Sequence, residues 1–290
     1  MSSMLGIASR ILPSNLKPLA KRLYYRDRHP VHPSLKRFGT VQDRYYWVSD
    51  GDLDTVLQLQ NYFSAFFPEL ETSTSGSISL FDENGVSLGS KTFSVAHQGS
   101  TKFRVSALVA DLQVSSTATF GSLEVKMAIP KNVLEHVRSE HSLYFWDRFY
   151  IGYSNNKGQM CFVHGVDKTH IYHEGSDKAV NWYGTTESYE WAPEMPVNIH
   201  DYERFSVIML NRTSKTADVT LTMLDSYDES LKWSAEIPPK GVHRFELSME
   251  DTRPLAPTEL RMRVEGMPTK FGRPMVFKEF RNGAFSAMHC

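Results

Sequence analysis

Two β-like stretches of the chain close in the same way. Gly158-Gln159-Met160-Cys161-Phe162-Val163-His164 ends one, and Gly283-Ala284-Phe285-Ser286-Ala287-Met288-His289 ends the other. Each is a glycine, five mostly apolar residues and a histidine. Repetition constrains architecture before any site can be argued, because each copy must bury the same apolar face. Upstream of both endings, apolar and polar residues alternate with the period of a half-buried strand. In the first half Ile78 and Leu80 alternate with Ser77 and Ser79. Asp82-Glu83-Asn84-Gly85 then has hairpin-turn composition, and Val86–Val95 returns. In the second half Asp218–Asp225 alternates, Lys232–Ile237 returns, and Pro238-Pro239-Lys240-Gly241 turns into Val242–Leu247. The halves align at Asp82 with Asp225, Gly99 with Gly241, Phe103 with Phe245, Gly158 with Gly283, and His164 with His289.

Short strands broken by frequent turns imply a mainly β chain. The expected fold is two tandem antiparallel β-sandwich units, Ig-like or jelly-roll-like, with a short N-terminal helical arm. With 290 residues, 41% of them hydrophobic, the chain is long enough for two such cores. The expected organisation is an arm over 1–39, a first sandwich over 40–164, a connector over 165–201 and a second sandwich over 202–290. Lys131–His141 is the helix expected inside the first unit, and Thr55–Phe66 is read as mainly extended.

The arm is basic. Arg10, Lys17, Lys21, Arg22, Arg26 and Arg28 face a single acid, Asp27, and Leu12, Leu16, Leu19 and Leu23 recur at helical spacing. It is read as partly helical or disordered. Without Trp or Phe on its apolar side, it would make only weak membrane-surface contact. Met1–Leu12 lacks the apolar length and cleavage pattern of a secretory signal. No run of apolar residues is long enough for a membrane span. Net charge is −1, and the arginines are scattered, so no nucleic-acid partner is expected. Two cysteines, Cys161 and Cys290, form no disulfide framework, and a reducing cytoplasm is the expected compartment.

The second half has a further rhythm. Asn211-Arg212-Thr213 follows a strand, Ala217–Thr222 alternates, Ile237-Pro238-Pro239-Lys240-Gly241 turns into a strand, and Pro274-Met275-Val276 opens the last hairpin. Over about 85 residues this resembles the small bacterial β-sandwich of the sensory rhodopsin transducer type, and the first unit resembles it weakly. The resemblance implies a non-enzymatic sandwich that oligomerises and binds a small ligand. The arm and connector fall outside it, and no functional residue carries over.

Three groups of residues are candidates for function. Trp146, Arg148, Tyr150, Trp182, Tyr183 and Trp191 offer aromatic faces and hydrogen-bonding groups suited to a sugar ring or a partner surface. His164 and His289 occupy equivalent strand ends. By strand parity His164 shares a face with Met160 and Phe162, and His289 with Phe285 and Ala287. Both are read first as hydrogen-bonded core residues and second as ligand contacts. His164, His170 and His173, with Asp167 and Glu174 nearby, are the candidates for a divalent transition metal, although their spacing matches no helical zinc pattern. No phosphate loop, nucleophile elbow or CxxC pair is present. The sequence therefore leads to a non-catalytic binding or assembly protein, with a carbohydrate or similar small ligand near the connector and no catalytic residue assigned. A metal-dependent enzyme using the clustered histidines and a structural homo-oligomer are the alternatives. Expected partners are that ligand and a second copy or another protein.

Overall fold

The repeated turns form as the alternation requires. A computed structural model describes residues 13, 40–113, 117–136, 149–164, 171–172, 179–180, 194–211, 215–255, 260–266 and 274–289. The expected helical arm over 1–39 thus lies outside the described residues apart from Pro13. The first half contains β1 (Thr40–Val48), β2 (Leu53–Gln60), β3 (Thr74–Asp82), β4 (Ser87–Val95), β5 (Ser100–Arg104), β6 (Phe120–Ala128), β7 (Phe149–Asn155) and β8 (Met160–His164). Its helices are α1 (Tyr62–Phe66), α2 (Val105–Asp111) and α3 (Lys131–His136). A two-residue ladder, β9 (Ile171–Tyr172) with β10 (Ala179–Val180), follows. The second half contains β11 (Glu194–Val197), β12 (Tyr202–Leu210), β13 (Ala217–Leu224), β14 (Ser230–Ile237), β15 (Val242–Leu247), β16 (Leu260–Glu265), β17 (Met275–Phe280) and β18 (Phe285–His289).

These strands form four-stranded antiparallel sheets in the orders β1-β6-β3-β4 and β5-β2-β7-β8, then β11-β16-β13-β14 and β15-β12-β17-β18. The second pair of sheets repeats the first strand for strand. The turns repeat as well. Asp82 Oδ1 accepts from the backbone N–H of Asn84 and Val86, and Asp225 Oδ1 accepts from those of Tyr227 and Glu229. Gly158 and Gly283 both sit at φ +81° and donate to the carbonyls of Asn155 and Phe280. Only glycine adopts that left-handed backbone without strain.

A buried asparagine ends the second strand of each half. Asn61 Nδ2 donates to the carbonyls of Thr72 (2.8 Å) and Ala96 (2.9 Å). Asn211 Nδ2 donates to those of Lys215 (2.6 Å) and Ile237 (2.8 Å). Their backbone N–H groups reach Gly99 O and Gly241 O, each at 3.0 Å. In each half one amide side chain thus satisfies two carbonyls from separate segments, one of them (Thr72 or Ile237) buried and costly to leave unpaired.

One core gathers Phe205, Val207 and Met209 of β12 with Leu221, Met223 and Met262 of β13 and β16. The larger core joins Tyr45, Trp47 and Leu123 of one sheet to Leu57, Phe149 and Ile151 of another. It also takes Ile208, Leu210, Val242, Met275, Phe277 and Ala287 from the second half. The mainly β expectation is met, but its arrangement needs correction. Two self-contained sandwiches are replaced by four blade-like sheets, more propeller-like in disposition, three of which share the larger core along a buried seam while β11-β16-β13-β14 packs only into the smaller one. The cause is visible in β12. Phe205–Leu210 is buried throughout, the mark of a strand covered on both faces rather than one.

Local readings fared unevenly. The stretch expected to be extended to Phe66 ends at Gln60, where Asn61 caps α1 with Oδ1 accepting from Ser64 N–H at 3.3 Å. Helix α3 covers Lys131–His136, and the rest of the expected helix lies outside the described residues. Glu194–Val197, placed in the expected connector, pairs with β16. Helix α2 was not expected. Its cap comes from another strand, where Asp54 accepts from Ser106 N–H (3.1 Å) and Ser106 Oγ (2.8 Å). No local pattern announces a cap that lies far away in sequence. Among the described residues, no helix is long and apolar enough to cross a membrane.

The asparagine ties have a measurable consequence. Asn61→Ala and Asn211→Ala should each destabilise the fold by about 2–4 kcal/mol, because each strands one buried carbonyl and removes a second, part-buried hydrogen bond. The exposed turn variant Asn84→Ala should cost less than about 0.5 kcal/mol. Chemical denaturation of the three variants checks the ranking.

Candidate functional site

Most of the aromatic residues that the sequence puts forward, Trp146, Trp182, Tyr183 and Trp191, lie outside the described residues, as do Arg148, His170 and His173. Tyr150 is half-buried on β7 and pairs in register with His164 at the end of β8. His289 pairs with Met275 at the end of β18. The two closing strands pack against each other but do not share one environment. On β18 Ala287 is 8% exposed, whereas on β8 Phe162 and Met160 are 54% and 38% exposed. The expected apolar core face is therefore found on β18 and not on β8. β8 is the edge strand of its sheet, with the Phe162 ring laid over Gly152. Cys161 is only partly buried, and its Sγ lies 3.8 Å from Tyr153 O. Among the described residues, no group of three or more His, Cys, Asp or Glu side chains is placed to hold a metal ion.

What the fold brings together is the pair of closing turns themselves. The β7–β8 turn (Asn155, Asn156, Lys157) and the β17–β18 turn (Arg281, Asn282, Gly283) line opposite sides of one cleft of about 390 Å³. Asp52, Glu203 and Glu279 add carboxylates, and Leu53, Phe280 and Phe285 add apolar surface. The turns are close enough that a Cβ on Gly283 would stand 2.5 Å from Lys157 Nζ. Each wall is built before any ligand arrives. Asn155 Oδ1 accepts from the N–H groups of Lys157 (3.1 Å) and Gln159 (2.8 Å), and Asn282 Oδ1 accepts from Ala284 N–H (3.0 Å). Asn156 Nδ2 donates to Asp52 Oδ1 at 3.2 Å, and its backbone N–H donates to Asp52 O at 3.0 Å. Asp50 Oδ1 in turn accepts from the N–H groups of Asp52 and Leu53. Fixed backbone leaves the side chains of Lys157, Arg281 and Glu203 exposed at the cleft.

A narrow extension of about 20 Å³ continues the cleft toward the seam, sharing Leu53 and Glu279 with it and reaching Tyr46, Arg204, Arg244 and Glu246. Arg244 donates from Nη1 to the Tyr46 hydroxyl (3.3 Å), pairs with Glu246 (2.9 Å) and lies 4.7 Å over the Phe120 ring. Behind it, Phe277 of β17 meets Tyr153 edge-on at 4.6 Å and Tyr46 at 5.7 Å, and the Tyr153 hydroxyl donates to Tyr46 O at 2.9 Å. Burial pushes the Tyr46 phenol up to about 12 from 10.0 despite the nearby guanidinium, and burial likewise raises Tyr153 well above its ordinary value. The turn Pro238–Gly241 completes the seam. Val242 N–H donates to Glu83 O (2.9 Å), Ser122 Oγ donates to Lys240 O (2.6 Å), and Lys240 lies over Phe81.

The sequence reading named none of the cleft residues as a site. The available signal was the alignment of Gly158 with Gly283, which marks two equivalent turns. Only the packing of the halves shows that those turns face each other.

No protein-family model matches the chain, and no curated protein matches it either. Among solved structures it is similar to a β-glucuronidase from glycoside hydrolase family 2, with 13% identity over 87% of this chain and 23% of that one, at a TM-score of 0.18. It is similar to a tetra-tandem repeat in the extending region of a large adhesion protein, with 9% identity over 87% of this chain and 48% of that one, also at 0.18. A Bacteroides uniformis β-glucuronidase gives 10% identity over 87% of this chain and 26% of that one, again at 0.18. The chain spans less than half the length of each of these proteins. At such TM-scores the likenesses carry no argument about fold or function.

The seam sets a pH limit. Tyr46 ionises at 10.0 when unfolded and at about 12 when folded, so between these values the unfolded state releases the proton first. Stability should be intact below pH about 10 and fall as pH rises toward about 12. Tyr46→Phe should flatten that fall. Urea midpoints measured from pH 8 to 11.5, beside a tyrosinate absorbance titration, check the sign.

Proposed function

We propose that this chain is a non-catalytic binding or assembly module made of duplicated β units, and that its ligand occupies the cleft between the two closing turns. The ligand class that fits is a carbohydrate or another small hydroxyl-rich molecule. The observation that carries this reading is the convergence of two equivalent turns, one from each half, on a cleft of about 390 Å³. That volume lies in the usual range for small-molecule sites, about 300–1,000 Å³. Its lining mixes amides, carboxylates and cationic groups with the apolar surfaces of Leu53, Phe280 and Phe285. Sugars present this combination of hydroxyl edges and apolar ring faces. The likeness to sensory rhodopsin transducer modules and a contribution from Trp182 and Trp191 of the connector belong to the same proposal.

Binding to a glycan array followed by calorimetry tests it. Lys157→Ala and Arg281→Ala, both exposed at the cleft, should each weaken the best ligand about threefold to tenfold, the effect of losing one or two hydrogen bonds. Their melting temperatures should stay within about 2 °C of the parent. Failure to bind any glycan, or equal binding by both variants, would remove the reading.

A further inference from the structure

We infer that the cleft between the closing turns is built for an uncharged hydroxylated ligand and rejects acidic sugars, with Glu279 as the residue that sets this preference. The inference rests on the cleft reading above and narrows its ligand class.

The charges of the site compensate one another. In the main cleft Asp52, Glu203 and Glu279 stand with Lys157 and Arg281. The extension adds Glu246 against Arg204 and Arg244. Acids and bases are then equal in number, and the region as a whole attracts neither sign. Pairing is also local. Arg204 Nη1 lies 3.7 Å from Glu279 Oε1, and Arg244 Nη2 lies 2.9 Å from Glu246 Oε1. Arg244 is further committed to the Tyr46 hydroxyl and the Phe120 ring. A ligand carboxylate reaching either arginine would meet a resident carboxylate already paired with it. Like charges brought together there repel, and the partial exposure of both pairs limits the effect to about tenfold in affinity.

The shape agrees with the electrostatics. The extension holds about 20 Å³, enough for one water or one hydroxyl oxygen but not for a planar carboxylate. The Tyr46 hydroxyl and the paired arginines lining it supply donors and acceptors to a neutral hydroxyl. Glu279 borders both the cleft and the extension, so it is the carboxylate a ligand passes on the way in. Its position on β17, in register with Arg204 of β12, fixes it to rigid sheet rather than to a loop.

Calorimetry on the full chain with maltose, cellobiose and lactose against digalacturonate decides the matter. A neutral disaccharide should bind at least about tenfold more tightly than digalacturonate, with affinity unchanged from about 50 to about 500 mM NaCl, because no net charge is screened. Glu279→Gln leaves Arg204 uncompensated. It should raise the affinity for digalacturonate relative to that for the neutral sugars about tenfold. Arg204→Gln should move the ratio the other way. Preference of the parent chain for digalacturonate, or an unchanged ratio in both variants with melting intact, would overturn the neutral-ligand inference while leaving the cleft reading in place. Absence of binding by every sugar would instead remove the cleft reading and this inference with it.

Discussion

A buried carboxamide holds each half of this protein together. Asn61 and Asn211 sit at the ends of equivalent strands, and each donates one hydrogen bond to a buried carbonyl (Thr72 or Ile237) and a second to a part-buried one (Ala96 or Lys215). Each side chain thus ties segments that no backbone ladder joins to its own strand end. An amide side chain is suited to the task because it offers two donors at a fixed angle and carries no charge to desolvate. With those segments tied, the strand order β1-β6-β3-β4 and β5-β2-β7-β8 can close over apolar residues, and the same order recurs in the second half.

The second constraint is the seam between halves. The Phe205–Leu210 run of β12 is covered on both faces, so Ile208, with Met275 and Phe277 of β17, serves the larger core while Phe205 and Val207 serve the smaller. Tyr46, Tyr153 and Phe277 meet there, and Arg244 bridges the halves through the Tyr46 hydroxyl. Burying this much aromatic surface fixes the orientation of one half on the other. The cleft follows from that orientation: its walls are the two closing turns, and neither half contains it alone.

The sheets were largely legible in the chain. Period-two alternation located β3, β4, β13, β14 and β15, and the aligned glycines found the equivalent turns. Asn211 was noticed as part of a turn, whereas Asn61 was not, since the residues around it differ and only the shared bonding makes the pair visible. Helix α2 escaped notice because Asp54, which caps it, belongs to a strand distant in sequence. The run Phe205–Leu210 was read as an ordinary strand, although its unbroken burial distinguishes a strand covered on both sides. Trp182, Tyr183 and Trp191 of the connector and the histidines at 170 and 173 lie outside the described residues. The cleft residues drew no attention because Asn, Asp, Lys and Gly in a turn also have a purely conformational reading.

The sequence by itself determined the duplicated turns, the mainly β class and the alternating inward positions of strands such as β3 and β13. These are local or periodic properties, set by backbone preference at glycine and by the parity of strands. Only the tertiary structure decided how the copies meet, and with it the shared core, the pairing of Arg204 with Glu279 and the cleft between Lys157 and Gly283. The physical reason is that these contacts join groups far apart in the chain. Their energies come from burial and charge pairing, which no local pattern of residues encodes.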